Sequence, residues 1–123
     1  MFLIKVILAM TYRWSEVRQL DLLSHHLDVP DSPGVYVFFN ALNGAVLYVG
    51  RSDKTLRRRI QNRNYRYYAY IGFSSPYEAY IFESGFYHDL KPIDNKIHPA
   101  LPRLGNFRNQ ISFCPICGVT RRR

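Results

Sequence analysis

The sequence predicts a small α/β fold, three strands with helices on their flanks, and three observations carry that expectation. Two β-rich runs, Val35 to Phe39 and Ala45 to Val49, flank a connector ending in Asn43-Gly44, a strong hairpin signal. A third run, Tyr67 to Phe73, is again rich in β-formers. Helical patterns lie before and after these strands, and both faces of the hairpin are apolar. Val35, Val37 and Phe39 fall on one face and Tyr36 and Phe38 on the other, so the sheet should be covered on both sides.

Taken in order, the apolar run Phe2 to Met10 is short and interrupted by Lys5. It cannot span a bilayer, carries no secretory pattern, and reads as a strand or short core segment. Ser15 is positioned to cap a helix to about Leu27, with Trp14, Val17, Leu20 and Leu23 on its apolar stripe. His25 and His26 suit the C-terminal dipole of that helix, with metal ligation as the alternative. Pro30 and Pro33 then break it ahead of the hairpin. A second helix is expected from Ser52 to about Asn64, capped by Ser52 or Asp53. On its wheel Leu56 and Ile60 face inward, Arg59 and Arg63 lie beside them, and Arg58 points nearly opposite. Arg59 is thus the arginine best placed to reach a site at the sheet, while Arg57 and Arg58 form a solvated or phosphate-tracking surface. A third helix starts at Ser75-Pro76-Tyr77-Glu78, with a cap, a proline at the first position and a capping-box glutamate. It ends before Lys91-Pro92, after which a proline-containing loop leads to a short Ile111-Ser112-Phe113 run and a basic terminus.

At 123 residues the chain is one domain. Its formal charge is +8, dominated by arginine, whose planar fork suits phosphate. A nucleic-acid partner is the functional reading of that charge, and a surface that merely keeps the protein soluble is the other. Cys114 and Cys117 are the only cysteines, so a disulfide framework is not indicated, and an intracellular protein, cytoplasmic or nucleoid-associated, is expected. No membrane partner is expected.

One residue breaks the pattern. Ala79, Phe82, Phe86 and Leu90 form an apolar stripe on the third helix, and Glu83 lies inside it. A carboxylate facing a core costs several kcal/mol unless it is paired or binds a metal. The bland alternatives are a buried Glu83–Arg59 ion pair, or a glutamate at the edge of the stripe reaching water.

These residues together resemble the GIY-YIG nuclease superfamily. Gly34-Val35-Tyr36 matches its first motif and Tyr48-Val49-Gly50 its second, with valine for isoleucine in both. Leu56, Arg59 and Ile60 match the hydrophobic–arginine–hydrophobic pattern that follows, allowing one extra residue in the preceding turn. Glu83, Pro92 and Asn95 follow in the family's order, and the match covers roughly Pro33 to Lys96, about half the chain. The resemblance implies a three-stranded antiparallel sheet flanked by helices, and metal-dependent endonuclease activity on the phosphodiester bonds of DNA, in a setting such as repair or recombination. It further implies Mg2+ or Mn2+ held by Glu83, with Tyr36, Tyr48, Arg59, Glu83 and Asn95 as the catalytic set. Asn95 would hold the site by hydrogen bonds rather than react. The chemistry is coherent, because a hard cation favours carboxylate oxygen and an arginine can offset charge developing on phosphate. A tyrosine base, with an ordinary pKa near 10, would need neighbouring positive charge.

The family often carries a histidine or tyrosine shortly after its arginine, where this chain has Tyr65 at a shifted spacing. Arg51 follows the second motif and, with Arg57, Arg58 and Arg63, is a candidate nucleic-acid contact or simply surface charge. The organisation expected is an N-terminal extension over 1–32, the nuclease-like core over 33–96, and a basic C-terminal extension over 97–123. Within that extension, Cys114-Pro115-Ile116-Cys117 resembles half of a zinc knuckle, with His88 and His98 as the remaining candidate ligands, or a second copy sharing the ion. A non-catalytic nucleic-acid-binding module of the same fold is the alternative to the enzyme. With no separate recognition domain visible, a homodimer or a protein partner is a candidate source of specificity.

Overall fold

The computed structural model describes residues 14–61, 63–103 and 112–122. The apolar run Phe2 to Met10 and most of the loop before Ser112 lie outside them. Among the described residues, four antiparallel strands form one sheet in the order β1-β4-β2-β3, where β1 is Arg18–Gln19, β2 Gly34–Phe39, β3 Tyr48–Ser52 and β4 Tyr67–Gly72. Helix α1, Leu56–Ile60, follows β3, and helix α2, Pro76–Leu90, follows β4. Among the described residues, no helix is long and apolar enough to cross a membrane.

The central strand is β2, and all six of its residues are buried. Its alternation divides the core in two, as the apolar pattern on both faces requires. Val35, Val37 and Phe39 pack with Val49, Ala69, Ala79, Phe86 and Leu90 on the α2 side. Tyr36 and Phe38 pack with Leu56, Ile60, Tyr68 and Leu20 on the α1 side.

The hairpin is wider than its sequence suggests. Pairing starts at Phe38↔Tyr48, which leaves residues 40–47 as the connection and excludes Ala45 from strand. Asn43-Gly44 is spent on a local turn closed by the Gly44 N–H on the Ala41 carbonyl at 3.0 Å. Glycine therefore occupies the last position of that turn, a type I preference, rather than the centre of a two-residue hairpin loop.

The first expected helix is replaced by an edge strand and a 3-10 helix, Leu20–His25. Ser15 does not cap a helix. Its N–H donates to the Tyr70 carbonyl at 2.8 Å and its hydroxyl accepts from the Tyr70 N–H at 2.9 Å, so it extends the edge of β4. An open strand edge offers backbone partners that weak helical periodicity in this segment cannot match. Among the described residues the sheet therefore carries β1 as an edge strand beside the three expected.

Helix α1 is only five residues long, and neither proposed cap serves it. Ser52 ends β3, Asp53 is held by Arg51, and the first N–H, that of Leu56, donates to the Ser32 carbonyl at 3.0 Å. Helix α2 starts as its sequence indicates, with the Glu78 N–H on the Ser75 hydroxyl at 3.1 Å. The Glu78 carboxylate reaches the Ser74 N–H at 3.3 Å. At the other end Lys91 takes a left-handed conformation (φ 45°) and Pro92 prevents continuation.

Candidate functional site

The two tyrosine motifs are brought face to face by register. Tyr36 on β2 pairs directly with Gly50 on β3, and a Cβ at Gly50 would overlap the Tyr36 ring. The missing side chain is the space the phenol occupies. A Cβ at Gly34 would likewise come within 2.7 Å of the Ile71 carbonyl oxygen and 2.9 Å of the Leu56 side chain. Both motif glycines are thus packing requirements of the strands and helix that build the site.

Tyr36 is 1% exposed, and its ring lies 6.4 Å from that of Tyr48 and 5.2 Å from that of Phe38. Tyr65 stacks on Phe38 at 4.7 Å and donates its hydroxyl to the Asp94 carboxylate at 2.8 Å. Burial pushes the Tyr36 phenol above its ordinary value, as does Tyr48, while Arg63 and Arg59 pull it back and Glu83 adds to the rise. Burial, followed by the Asp94 hydrogen bond, raises Tyr65 to about 12. The electrostatic neighbourhood of the Tyr36 phenol therefore joins Tyr48, Arg59, Arg63 and Glu83.

Glu83 is buried on the inward face of α2 with Ala79, Tyr80, Ser84, Phe86 and Leu90. Its partner is not Arg59. The Arg51 Nη1 donates to Glu83 Oε1 at 2.9 Å, and the Arg51 Nε donates to Asp53 Oδ1 at 2.7 Å. The Arg51 side chain is completely buried, lies over the Tyr80 ring at 5.5 Å, and offers no surface to a nucleic acid. The expectation of Arg51 as a nucleic-acid contact is replaced by an interior role, and the reason is strand alternation. Arg51 is two residues from Val49 and shares its face, the α2 face, whereas Arg59 rides on α1 across the sheet. The Arg59 Nε instead donates to the Arg51 backbone carbonyl at 3.4 Å.

One guanidinium, that of Arg51, thus lies between the carboxylates of Glu83 and Asp53. A carboxylate has about four lone-pair sites, so accepting from Arg51 does not exhaust the capacity of Glu83. Carboxylate oxygen is the donor chemistry that a hard divalent cation takes, and Glu83 fits such an ion.

The remaining candidates separate by exposure. Arg58, Arg59 and Arg63 are exposed, while the Arg57 guanidinium turns to the Leu23 and Ser24 carbonyls at the end of the 3-10 helix. Asn95 lies beside β3. Its Oδ1 accepts from the Val49 N–H and its Nδ2 donates to the Val49 carbonyl, both at 2.9 Å, so it pairs with the edge strand as another strand would. Cys114 and Cys117 are free thiols and lie against His88 and His98. His26 is bonded to the Tyr68 hydroxyl at 2.5 Å and takes no part in the site. Sequence reasoning missed the Arg51–Asp53 link, although the period-two alternation of β3 already put Arg51 on the side of Glu83.

No family model matches the chain, and no curated protein matches it in sequence. Solved structures do match. One is a tyrosine-to-phenylalanine point mutant of the GIY-YIG N-terminal endonuclease domain of UvrC from Thermotoga maritima, bound to the catalytic divalent cation. It is 23% identical, covers 63% of this chain and 97% of its own, and has a TM-score of 0.52. The same domain bound to magnesium is 25% identical over 61% of this chain and 92% of its own, with a TM-score of 0.49. The likeness is one of fold, and this chain has the fold of the GIY-YIG endonuclease domains.

Proposed function

We propose that the protein is a metal-dependent endonuclease that hydrolyses phosphodiester bonds in DNA. The observation that carries this reading is a glutamate buried on the inward face of α2 beside Arg51: the charge of Glu83, with those of Arg59 and Arg63, acts on the Tyr36 phenol. Glu83 is the residue that would hold Mg2+ or Mn2+. When bound, such an ion supplies Lewis-acid stabilisation of charge on the phosphate.

The chain's own residues have distinct tasks. Tyr36 keeps its proton at neutral pH because burial raises its pKa, so its Oη–H orients the attacking water as a hydrogen-bond partner. It accepts a proton only when further positive charge adds to that of Arg59 and Arg63. Tyr48, less buried, lines the same aromatic wall. Arg59, exposed at the end of α1, offsets charge developing on the phosphate, and Arg58 and Arg63 follow the flanking backbone. Asn95 positions β3 without touching the reacting atoms. Residues 33–96 are the catalytic unit in this reading, with DNA as partner, a cytoplasmic or nucleoid-associated setting, and specificity from a homodimer or a protein partner.

The Arg51–Glu83 pair favours a second reading, in which the carboxylate only neutralises a buried arginine and the domain binds nucleic acid without turnover. Plasmid DNA incubated with the protein in Mg2+, Mn2+ or chelator separates the two. The enzyme nicks or linearises DNA with metal and not with chelator, and Glu83→Gln, which keeps side-chain volume beside Arg51, abolishes cleavage while DNA binding persists. Binding without cleavage in either metal, or cleavage undiminished in Glu83→Gln, overturns the first reading.

A further inference from the structure

Four side chains outside the candidate nuclease site converge from three separate stretches of chain. His88 comes from the last turns of α2, His98 from the loop after Pro92, and Cys114 and Cys117 from a turn near the C-terminus. One ligand atom from each lies within 4.8 Å of all the others. The Cys114 Sγ is 3.4 Å from His88 Nε2, and the Cys117 Sγ is 3.3 Å from His98 Nε2. Around a tetrahedral zinc ion, with Zn–S near 2.3 Å and Zn–N near 2.0–2.1 Å, neighbouring ligand atoms sit about 3.5 Å apart. The two sulfur–nitrogen distances already have that length.

Three local features prepare these groups for a metal. The His98 Nδ1 is 2.8 Å from the Pro99 carbonyl, and a carbonyl can only accept, so the proton sits on Nδ1 and the Nε2 lone pair faces Cys117. Gly118 follows the second cysteine with φ +79° and returns its N–H to the Cys114 carbonyl at 2.9 Å, which folds the Cys-x-x-Cys turn so that both thiols face one way. Tyr87 packs edge-on against both imidazoles, at 5.2 and 5.3 Å, and fixes their planes.

We propose that His88, His98, Cys114 and Cys117 bind one zinc ion per chain. Two thiolates and two imidazoles in a tetrahedron suit Zn2+ above the hard cations that carboxylates take. All four positions are supplied by protein, so the ion is structural and leaves no place for substrate. Binding releases the thiol protons of Cys114 and Cys117 to solvent.

Its consequence is mechanical. The metal joins the C-terminal turn to α2 and to the loop after it, where the Leu101 N–H on the Arg121 carbonyl (2.8 Å) and the Arg121 guanidinium on the His98 carbonyl (3.2 Å) already tether that turn. It also closes a loop between His88 and His98, and that loop carries Asn95 to the edge of β3. Zinc thereby fastens the segment that clamps β3 to the helix that bears Glu83. The inference does not depend on the nuclease reading.

The test is made on the full chain, purified and dialysed against zinc-free buffer. Elemental analysis should find about one zinc per chain, and reconstitution with Co2+ should give tetrahedral d–d bands with thiolate-to-cobalt charge transfer. Removing the ion with a strong chelator should lower the melting temperature reversibly. Cys117→Ser, at an exposed position that folding tolerates, should weaken zinc in a chromophoric-chelator competition by more than the roughly 10–100-fold typical of losing a second-shell partner. A metal-free protein with no cobalt–thiolate band overturns the proposal. So does zinc retained at wild-type affinity in both Cys117→Ser and His98→Gln, and half a zinc per chain, which would mean an ion shared by two copies.

Discussion

Gly50 and Tyr36 show how one residue's absence of a side chain sets another's position. The glycine stands opposite the tyrosine in the ladder, and the phenol fills the volume a Cβ would take. Gly50→Ala should destabilise the fold by about 1–3 kcal/mol, the cost of forcing extra volume into a packed core. The displaced ring should also shift the near-ultraviolet dichroism of the aromatic wall formed by Tyr36, Phe38, Tyr48 and Tyr65. Equilibrium denaturation checks the first effect, and an unchanged midpoint would mean that the ring is not confined there. The two tyrosine-and-glycine motifs were legible in the sequence, whereas Tyr36 standing opposite Gly50 was set by the register of the wider hairpin. Arg51 was not read correctly, because exposure is assigned to an arginine by default, whereas strand alternation and a facing glutamate draw this one inward.

At the scale of elements, the edge of the sheet decides most of what is unusual. Among the described residues, strand β3 pairs with β2 alone, and Asn95 lies along its other edge, with the Asp94 N–H on the Leu47 carbonyl (2.9 Å) extending the contact. Asn95→Ala should cost about 1–3 kcal/mol, because it strands a backbone donor and acceptor that solvent only partly recovers. Hydrogen exchange at the Val49 amide should accelerate in that variant while amides in the middle of α2 keep their protection. Equal protection at Val49 in both proteins would mean that Asn95 is not a clamp. On the opposite edge, β4 is covered by Ser15 and by Arg18–Gln19, whose sequence suggested a helix. Local periodicity there is loose, and the backbone partners offered by β4 are far away in sequence.

Across the whole molecule, the tyrosines couple stability to alkaline pH. Burial raises the Tyr36, Tyr65, Tyr68, Tyr70 and Tyr80 phenols above their ordinary value, with Tyr65 reaching about 12. Above pH 10 the unfolded chain loses phenolic protons that the folded chain retains, so the unfolded state binds fewer protons and stability falls as pH rises. The contribution is complete below pH 10 and is lost as pH climbs through the folded values. Urea midpoints should therefore hold steady from pH 8 to about 9.5 and decline above about 10. Ultraviolet titration should show a class of phenols that ionises only with unfolding. Midpoints independent of pH up to 12 would refute the coupling.

Strand-forming runs, the capping box of α2, its stop at Lys91-Pro92 and the burial of Glu83 were all written in local pattern. Such features depend on period, cap chemistry and turn chemistry over a few residues, which a chain expresses wherever it folds. Only the tertiary structure decided which charges meet. It gave Glu83 to Arg51 rather than Arg59, because α1 and α2 cover opposite faces of one sheet. It turned the segment near residue 18 into a strand, because an unpaired edge rewards backbone pairing more than weak helical periodicity does. It also gathered His88, His98, Cys114 and Cys117, which no fixed spacing announces, since three segments distant along the chain must dock before four ligands become neighbours.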